Sequence, residues 1–290
     1  MRILLITFVF FINAAAAWAE GAHPALWKLS DADTSIYLFG TVHVLKPGTE
    51  WMTDKVEKAV TGADRFYMEV SLADQQNLPA IQQLVQRYAV LPPGDSLSNH
   101  VPAATAEQLK ASIATMGIPA EAVDRFKPWF AGVTYSGMRF LKLGYDSSKG
   151  VEAALGALAQ AHNVPIEGLE TMDFQMRLFD SMTDEETKAF IQDLLMDEAD
   201  LGKMMNEITE SWTQGDLSAL DREINDMDKV SPSLAEKLLY NRNQTWARSI
   251  EMMLARPGTF TVAVGSGHFV GKRSVIQILE NDGFTVERVQ

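Results

Sequence analysis

Two histidines stand in matching settings near opposite ends of this chain. Ile36-Tyr37-Leu38-Phe39 runs into Gly40-Thr41-Val42-His43, and Phe260-Thr261-Val262-Ala263-Val264 runs into Gly265-Ser266-Gly267-His268. Imidazole nitrogen and carboxylate oxygen are common ligands of zinc, manganese and cobalt where no thiolate is at hand. This chain has no cysteine and only five histidines in 290 residues. Catalytic metal sites typically use about three protein ligands and keep a position for water. His43, His268 and one or two of Glu69, Glu167 and Glu170 match that inventory. A metal there lowers the pKa of bound water and polarises a carbonyl, and a spare carboxylate serves as general base. The same pattern also reads as two buried, hydrogen-bonded histidines without chemistry. Arg242, in Tyr240-Asn241-Arg242-Asn243, stabilises an oxyanion on one reading and makes a surface salt bridge on the other.

The remaining candidates read structurally. His162 ends a helix, where a cation favours the dipole; His100 sits in a proline-flanked loop; His23 is near the mature terminus. Met196, Met204, Met205, Met252 and Met253 have helical spacing, which is the pattern of core filler rather than of a copper site. Gly265-Ser266-Gly267-His268 lacks the G-x-S-x-G elbow of a serine nucleophile, and Ser266 fits a tight turn.

Each histidine follows a short apolar, β-branched or aromatic run, the pattern of a buried strand, and then a glycine that lets the chain turn. In open α/β sheets ligands bind beyond the carboxyl ends of the strands, where both histidines fall. Leu26 to Leu29, the polar turn Asp31 to Thr34, and Ile36 to Phe39 predict a hairpin. Thr53 caps a helix through about Gly62, and Arg65 to Val70 is the next strand, giving a β-α-β unit with Glu69 at its carboxyl end. That places a carboxylate on the strand expected beside the one leading to His43.

Helices are expected over Leu72 to Tyr88, Thr105 to Met116, Phe130 to Leu143 and Gly150 to His162, with a breaker at Leu91-Pro92-Pro93-Gly94-Asp95. Val164 to Glu170 is a short strand and its exit. Further helices run from Thr183 to about Gln214, Asp216 to Asp228 and Pro232 to Arg256. The chain then closes with a strand, a Gly-rich turn, a helix (Ser274 to Asn281) and a strand (Phe284 to Val289). The expected fold is α/β: a mixed sheet with paired strand-Gly-x-x-His motifs, forming one domain over residues 20–290. Large helical insertions occupy about residues 72–145 and 172–256.

Residues 1–19 read as a signal peptide, with Arg2 as the n-region, Ile3 to Ile12 as the h-region and Ala17-Trp18-Ala19 as the cleavage site. The expected location is periplasmic or secreted, with no stable membrane insertion after cleavage. The formal charge is −13, one unit more negative without Arg2, which argues against nucleic acid as a partner. With no disulfides, stability rests on the core, which 47% hydrophobic content can build.

These motifs resemble the TraB/GumN family, whose animal relatives are the Tiki proteases. The resemblance spans about Leu26 to Val289 and rests on Tyr37 to His43, Tyr67-Met68-Glu69 and Gly168-Leu169-Glu170-Thr171. It continues in Gly215-Asp216-Leu217, Asn241 to Trp246 and Val264 to Gly271. It implies an α/β core and, in the Tiki branch, metal-dependent peptidase activity. Carried onto this chain, it implies His43, Glu69 and His268 at the metal, with Glu170 and Arg242 beside them. Many relatives carry Gly-Val/Ile-Asp where this chain has Gly150-Val151-Glu152, and Glu152 is given no place in the site. The expected function is an exported hydrolase dependent on a divalent metal (Mn, Co or Zn). It acts on a peptide or small protein, with Glu69, Arg242 and Glu170 in the chemistry. The alternative is a protein that binds a peptide or ligand in the same cleft without turnover.

Overall fold

Near-continuous apolar strands need cover on both faces, and helices supply it here. The computed structural model describes residues 21–290, so the expected signal peptide lies outside the described residues. Six strands form one mixed sheet: β1 (Leu26–Ser30), β2 (Thr34–Thr41), β3 (Arg65–Val70), β4 (Ile166–Glu170), β5 (Gly258–Gly265) and β6 (Val286–Arg288). Their order is β4-β3-β5-β2-β1-β6. β1 pairs antiparallel with β2 and β6, while β5 runs parallel between β2 and β3, and β4 runs parallel to β3.

Side chains alternate across this sheet with the period of two that a pleated strand imposes. Phe39, Phe66, Met68 and Ala263 pack on one face with Val56, Val60, Leu155 and Trp212. Ile36, Leu38, Tyr67, Val262 and Val264 pack on the other with Trp246, Ile250 and Leu279. The second face is covered by helices Asn241–Leu254 and Val275–Asn281, the first by helices Asp54–Thr61 and Val151–Ala161. Thr53 starts Asp54–Thr61 as its spacing predicts, its hydroxyl accepting from Val56 N. Trp212 locks the end of β2: its indole N–H donates to Gly40 O at 2.9 Å, and its ring meets those of Phe39 and Trp51.

Three expectations change. β2 and β3 are not neighbours, because β5, from the far end of the chain, fills the place between them. The expected helix 72–88 breaks at Asn77, whose side chain caps Leu78–Tyr88. The expected helix from Thr183 to Gln214 is two, Asp184–Leu194 and Glu198–Thr213, with Asp197 capping the second. In each helix a short polar side chain takes over a backbone N–H and ends the run. The final long helix carries a π turn, Glu236–Tyr240, just before Asn241–Leu254.

Candidate active site

The carboxyl ends of β2, β5, β3 and β4 bring His43, His268, Glu69 and Glu170 to one side of the sheet, and Arg242 reaches in from its helix. Arg242 is the hub. Its Nη2 donates to Glu69 Oε2 at 2.6 Å and to Glu170 Oε2 at 2.9 Å, and its Nε donates to Glu170 Oε1 at 2.9 Å. Nη1 donates to Leu238 O at 2.9 Å, inside the π turn, and lies 3.3 Å from His268 Nε2. All five donors of a guanidinium lie in one plane, so a single side chain can bridge two carboxylates and a ring. Arg242 also stacks over the Trp246 ring, 4.6 Å from its centroid.

Glu69 is fixed at both oxygens. Oε1 accepts from Gly265 N at 2.9 Å, and Oε2 accepts from Gln175 Nε2 at 3.1 Å as well as from Arg242. Burial pushes its pKa upward, but Arg242, His268 and His43 outweigh burial and hold it at about 2. Glu69 is therefore a carboxylate across the physiological range. Because β5 lies between their strands, Glu69 and His43 meet over Gly265. A Cβ there would lie 3.2 Å from Glu69 Oε1 and 3.3 Å from His43 Nε2.

The two histidines have opposite surroundings. His268 is buried, 4% exposed, in the turn Ser266–Phe269 against the Trp246 ring. Asn243 Nδ2 donates to Arg273 O, so its Oδ1 is the acceptor for His268 Nδ1–H at 2.5 Å. Burial holds the His268 pKa down at about 3, leaving a neutral ring with its lone pair at Nε2. His43 has 65% of its side chain exposed, and its Nδ1 lies 2.6 Å from Glu152 Oε1. Glu152 raises the His43 pKa to about 9. Burial pushes Glu152 upward, but His43 and the Thr41 hydroxyl bring it below the usual carboxylate range.

A cleft of about 460 Å³ opens beside these groups, lined by His43, Glu69, Glu152 and Gln175 together with Met68 and Met172. Glu167 stays outside it: its carboxylate pairs with Arg65 at the surface, where both side chains are exposed. Ser266 makes a turn, its hydroxyl donating to Thr41 O at 2.7 Å. His100 pairs with Asp95, and His162 bonds Leu158 O at the end of its helix. Met205 and Met253 are buried in packed clusters, whereas Met252 is exposed. The sequence reading left out Glu152, Asn243 and Gln175. Glu152 had two available signals, the family motif it departs from and its place two residues after the glycine that leads its helix.

For a metal, the donor types fit. Each imidazole has Nδ1 held by an acceptor, as in histidines that ligate through Nε2, although a cation would have to displace the second proton of His43 and Arg242 Nη1 from His268. Glu69 Oε1 keeps a free lone pair beyond its one bond from Gly265 N. Three carboxylates face one guanidinium and one raised imidazole, so the cluster is formally short of positive charge. Convergence is a separate matter: among the described residues no three histidine or acidic side chains surround a common point where an ion could sit.

Fold and site thus define an α/β protein with a histidine, carboxylate and arginine centre at the carboxyl ends of parallel strands. The chain belongs to the TraB/PrgY/gumN family, whose profile matches residues 25–288. It is 23% identical over 289 residues to an uncharacterized protein of Treponema pallidum, covering 93% of this chain and 86% of that one. It is 24% identical over 319 residues to a protein of Amphimedon queenslandica named a metalloprotease TIKI homolog, covering 91% of this chain. This chain spans only 61% of that relative's length. The uncharacterized protein YbaP of Escherichia coli is 23% identical over 271 residues, covering 90% of this chain and 96% of YbaP. No solved structure matches. Among the described residues no helix is long and apolar enough to cross a membrane.

Proposed function

We propose that this protein is an exported, metal-dependent hydrolase that cleaves peptide bonds in a peptide or small protein. The observation that carries the reading is the pair of histidines with Nδ1 engaged by Glu152 and Asn243, flanking the ionised Glu69. His43 and His268 would hold a divalent ion (Mn, Co or Zn), with Glu69 as the third donor, once the three side chains, which do not surround a common point here, close on one. Such an ion supplies Lewis acidity and a lowered water pKa. A carboxylate held at about 2 is a poor general base near neutral pH, which favours Glu69 as ligand. Glu170 neutralises and orients Arg242, whose donors are taken by Glu69, Glu170, Leu238 O and His268 Nε2, so Arg242 would meet developing negative charge by exchanging one of these bonds. The cleft mixes apolar Met68 and Met172 with the amides of Gln75 and Gln175, which suits a peptide main chain flanked by side chains. The TIKI relatives' names support the same class of reaction, and the leader-like residues 1–19 support a periplasmic or secreted location.

One observation favours a second reading, hydrolysis by His43 and Glu69 without a metal: Arg242 Nη1 already faces the His268 lone pair at 3.3 Å. Turnover of a peptide library, read with elemental analysis before and after chelation, separates the two. Loss of turnover on chelation and its return with Mn²⁺, Co²⁺ or Zn²⁺ supports the metal reading. Full turnover by chelated protein supports the second, and binding without any turnover overturns both.

A further inference from the structure

We propose that Glu152 is a positioning residue for His43, holding the imidazole by Nδ1 so that Nε2 borders the point shared with Glu69 Oε1. The proposal rests on the reading that His43 serves the site. Its motif, Gly150-Val151-Glu152, opens helix Val151–Ala161.

Burial holds most working histidines in place, and it cannot hold this one. His268 is 4% exposed and wedged against Trp246, whereas 65% of the His43 side chain is open. An open imidazole is restrained by its hydrogen bonds alone. The one from Nδ1 goes to Glu152 Oε1 at 2.6 Å. Glu152 is itself immobilised: the same oxygen accepts from the buried Thr41 hydroxyl, and the carboxylate lies in the first turn of its helix, where the dipole favours negative charge.

The backbone is built to deliver this contact. Val151 N donates to Val42 O at 3.0 Å, so the helix starts directly on the residue before His43. Asp146 and Leu45 exchange backbone bonds at 2.9 and 3.3 Å, closing the far side of the same loop. Gly150 is required between them, because a Cβ there would overlap the His43 carbonyl group. Residues 146–152 thus grip residues 41–45 from both sides, and Glu152 is the one ionic side chain in that grip aimed at the ring. A carboxylate only accepts, so it dictates a proton on Nδ1 and leaves Nε2 as the face turned to the cleft.

The test uses the mature full-length chain with Glu152→Gln, Glu152→Ala and Thr41→Val. Three readouts are taken: ¹H–¹⁵N NMR of the histidine rings, Mn²⁺ affinity by titration, and the melting temperature. Expected for Glu152→Ala are loss of the fixed Nδ1–H signal of His43 and a fall in Mn²⁺ affinity of about 10–100-fold. Added acetate partly restores both, an effect a purely structural role would not give. Glu152→Gln keeps the shape and shows a smaller loss, and Thr41→Val, which removes only the brace, a smaller one still. If Glu152→Ala does not fold, Glu152→Met, which keeps the length and cannot accept, carries the comparison. An unchanged His43 tautomer in folded Glu152→Ala or Glu152→Met overturns the proposal. A tautomer that follows Glu152 in a protein binding no Mn²⁺ and turning over no peptide supports the positioning and removes the hydrolase reading.

Discussion

Gly265→Ala should separate activity from stability. Gly265 has φ −47° and ψ 131°, values an alanine adopts freely, so the backbone imposes no strain. Restricting the unfolded chain favours the variant by about 0.4–1 kcal/mol. Against that, the new methyl would sit 3.2 Å from Glu69 Oε1 and 3.3 Å from His43 Nε2, tighter than relaxed contacts. Glu69 cannot yield, because Arg242, Gln175 and Gly265 N hold it. His43 can, being open to the cleft, and would swing away by a few tenths of an ångström. The two effects nearly cancel in stability, leaving a change within about 1 kcal/mol. Activity does not share that cancellation, since misplacement by about 1 Å can cost roughly 10²-fold, and a loss of about 10-fold or more is expected. The assay is peptide turnover per folded molecule and Mn²⁺ affinity, with melting temperature on the same samples. Wild-type turnover together with a wild-type melting temperature would refute the argument that Glu69 and His43 work as a pair across β5.

Three further outcomes are expected. Arg242→Met leaves two buried carboxylates without their cation and should cost about 3–5 kcal/mol by denaturant melts, with Arg242→Lys recovering only part because lysine lacks the planar fork. Glu186 is raised by burial but brought below its usual value of 4.5 by Lys237 Nζ and Thr183 N. A depressed folded pKa means that its stabilisation is complete above about pH 5 and fades as pH falls from 4.5 through the folded value. Glu186→Gln should therefore lower stability at pH 7 by about 1–3 kcal/mol and flatten the acid limb of melting temperature against pH. Adding Mn²⁺ at 100 times its Kd to chelated protein should stabilise it by about 2.7 kcal/mol, and the His43→Ala, His268→Ala double variant should show no such shift.

The strands and the starts of several helices were legible because their signals are local. Ile36 to Phe39 and Phe260 to Val264 are unbroken apolar runs, and Thr53 announces its helix. Strand order was not legible: nothing near Gly40 or Glu69 says that residues 258–265 will insert between them. The meeting of Glu69 and His43 depends on that insertion and on the missing side chain of Gly265. Glu152 stood out only as a departure from the family's Gly-Val/Ile-Asp motif and was given no role, for a related reason. Its partner lies more than a hundred residues earlier, and an acid in a first helical turn is ordinarily explained by the dipole alone.

The arrangement explains why the two histidines, so alike in sequence, take different parts. β5 lies in the middle of the sheet, covered on both faces, so its turn carries His268 into the interior beneath Trp246. There only a neutral ring is tolerated, and a neutral amide, Asn243, suffices to orient it. The loop after β2 lies toward solvent, so His43 can keep a proton and needs a carboxylate to hold it. One sheet edge thus supplies an inner fixed imidazole and an outer adjustable one, with Glu69 between them already ionised by Arg242. That asymmetry is set by burial around His268 and by Glu152 beside His43. It also follows directly from where each strand lies in the sheet.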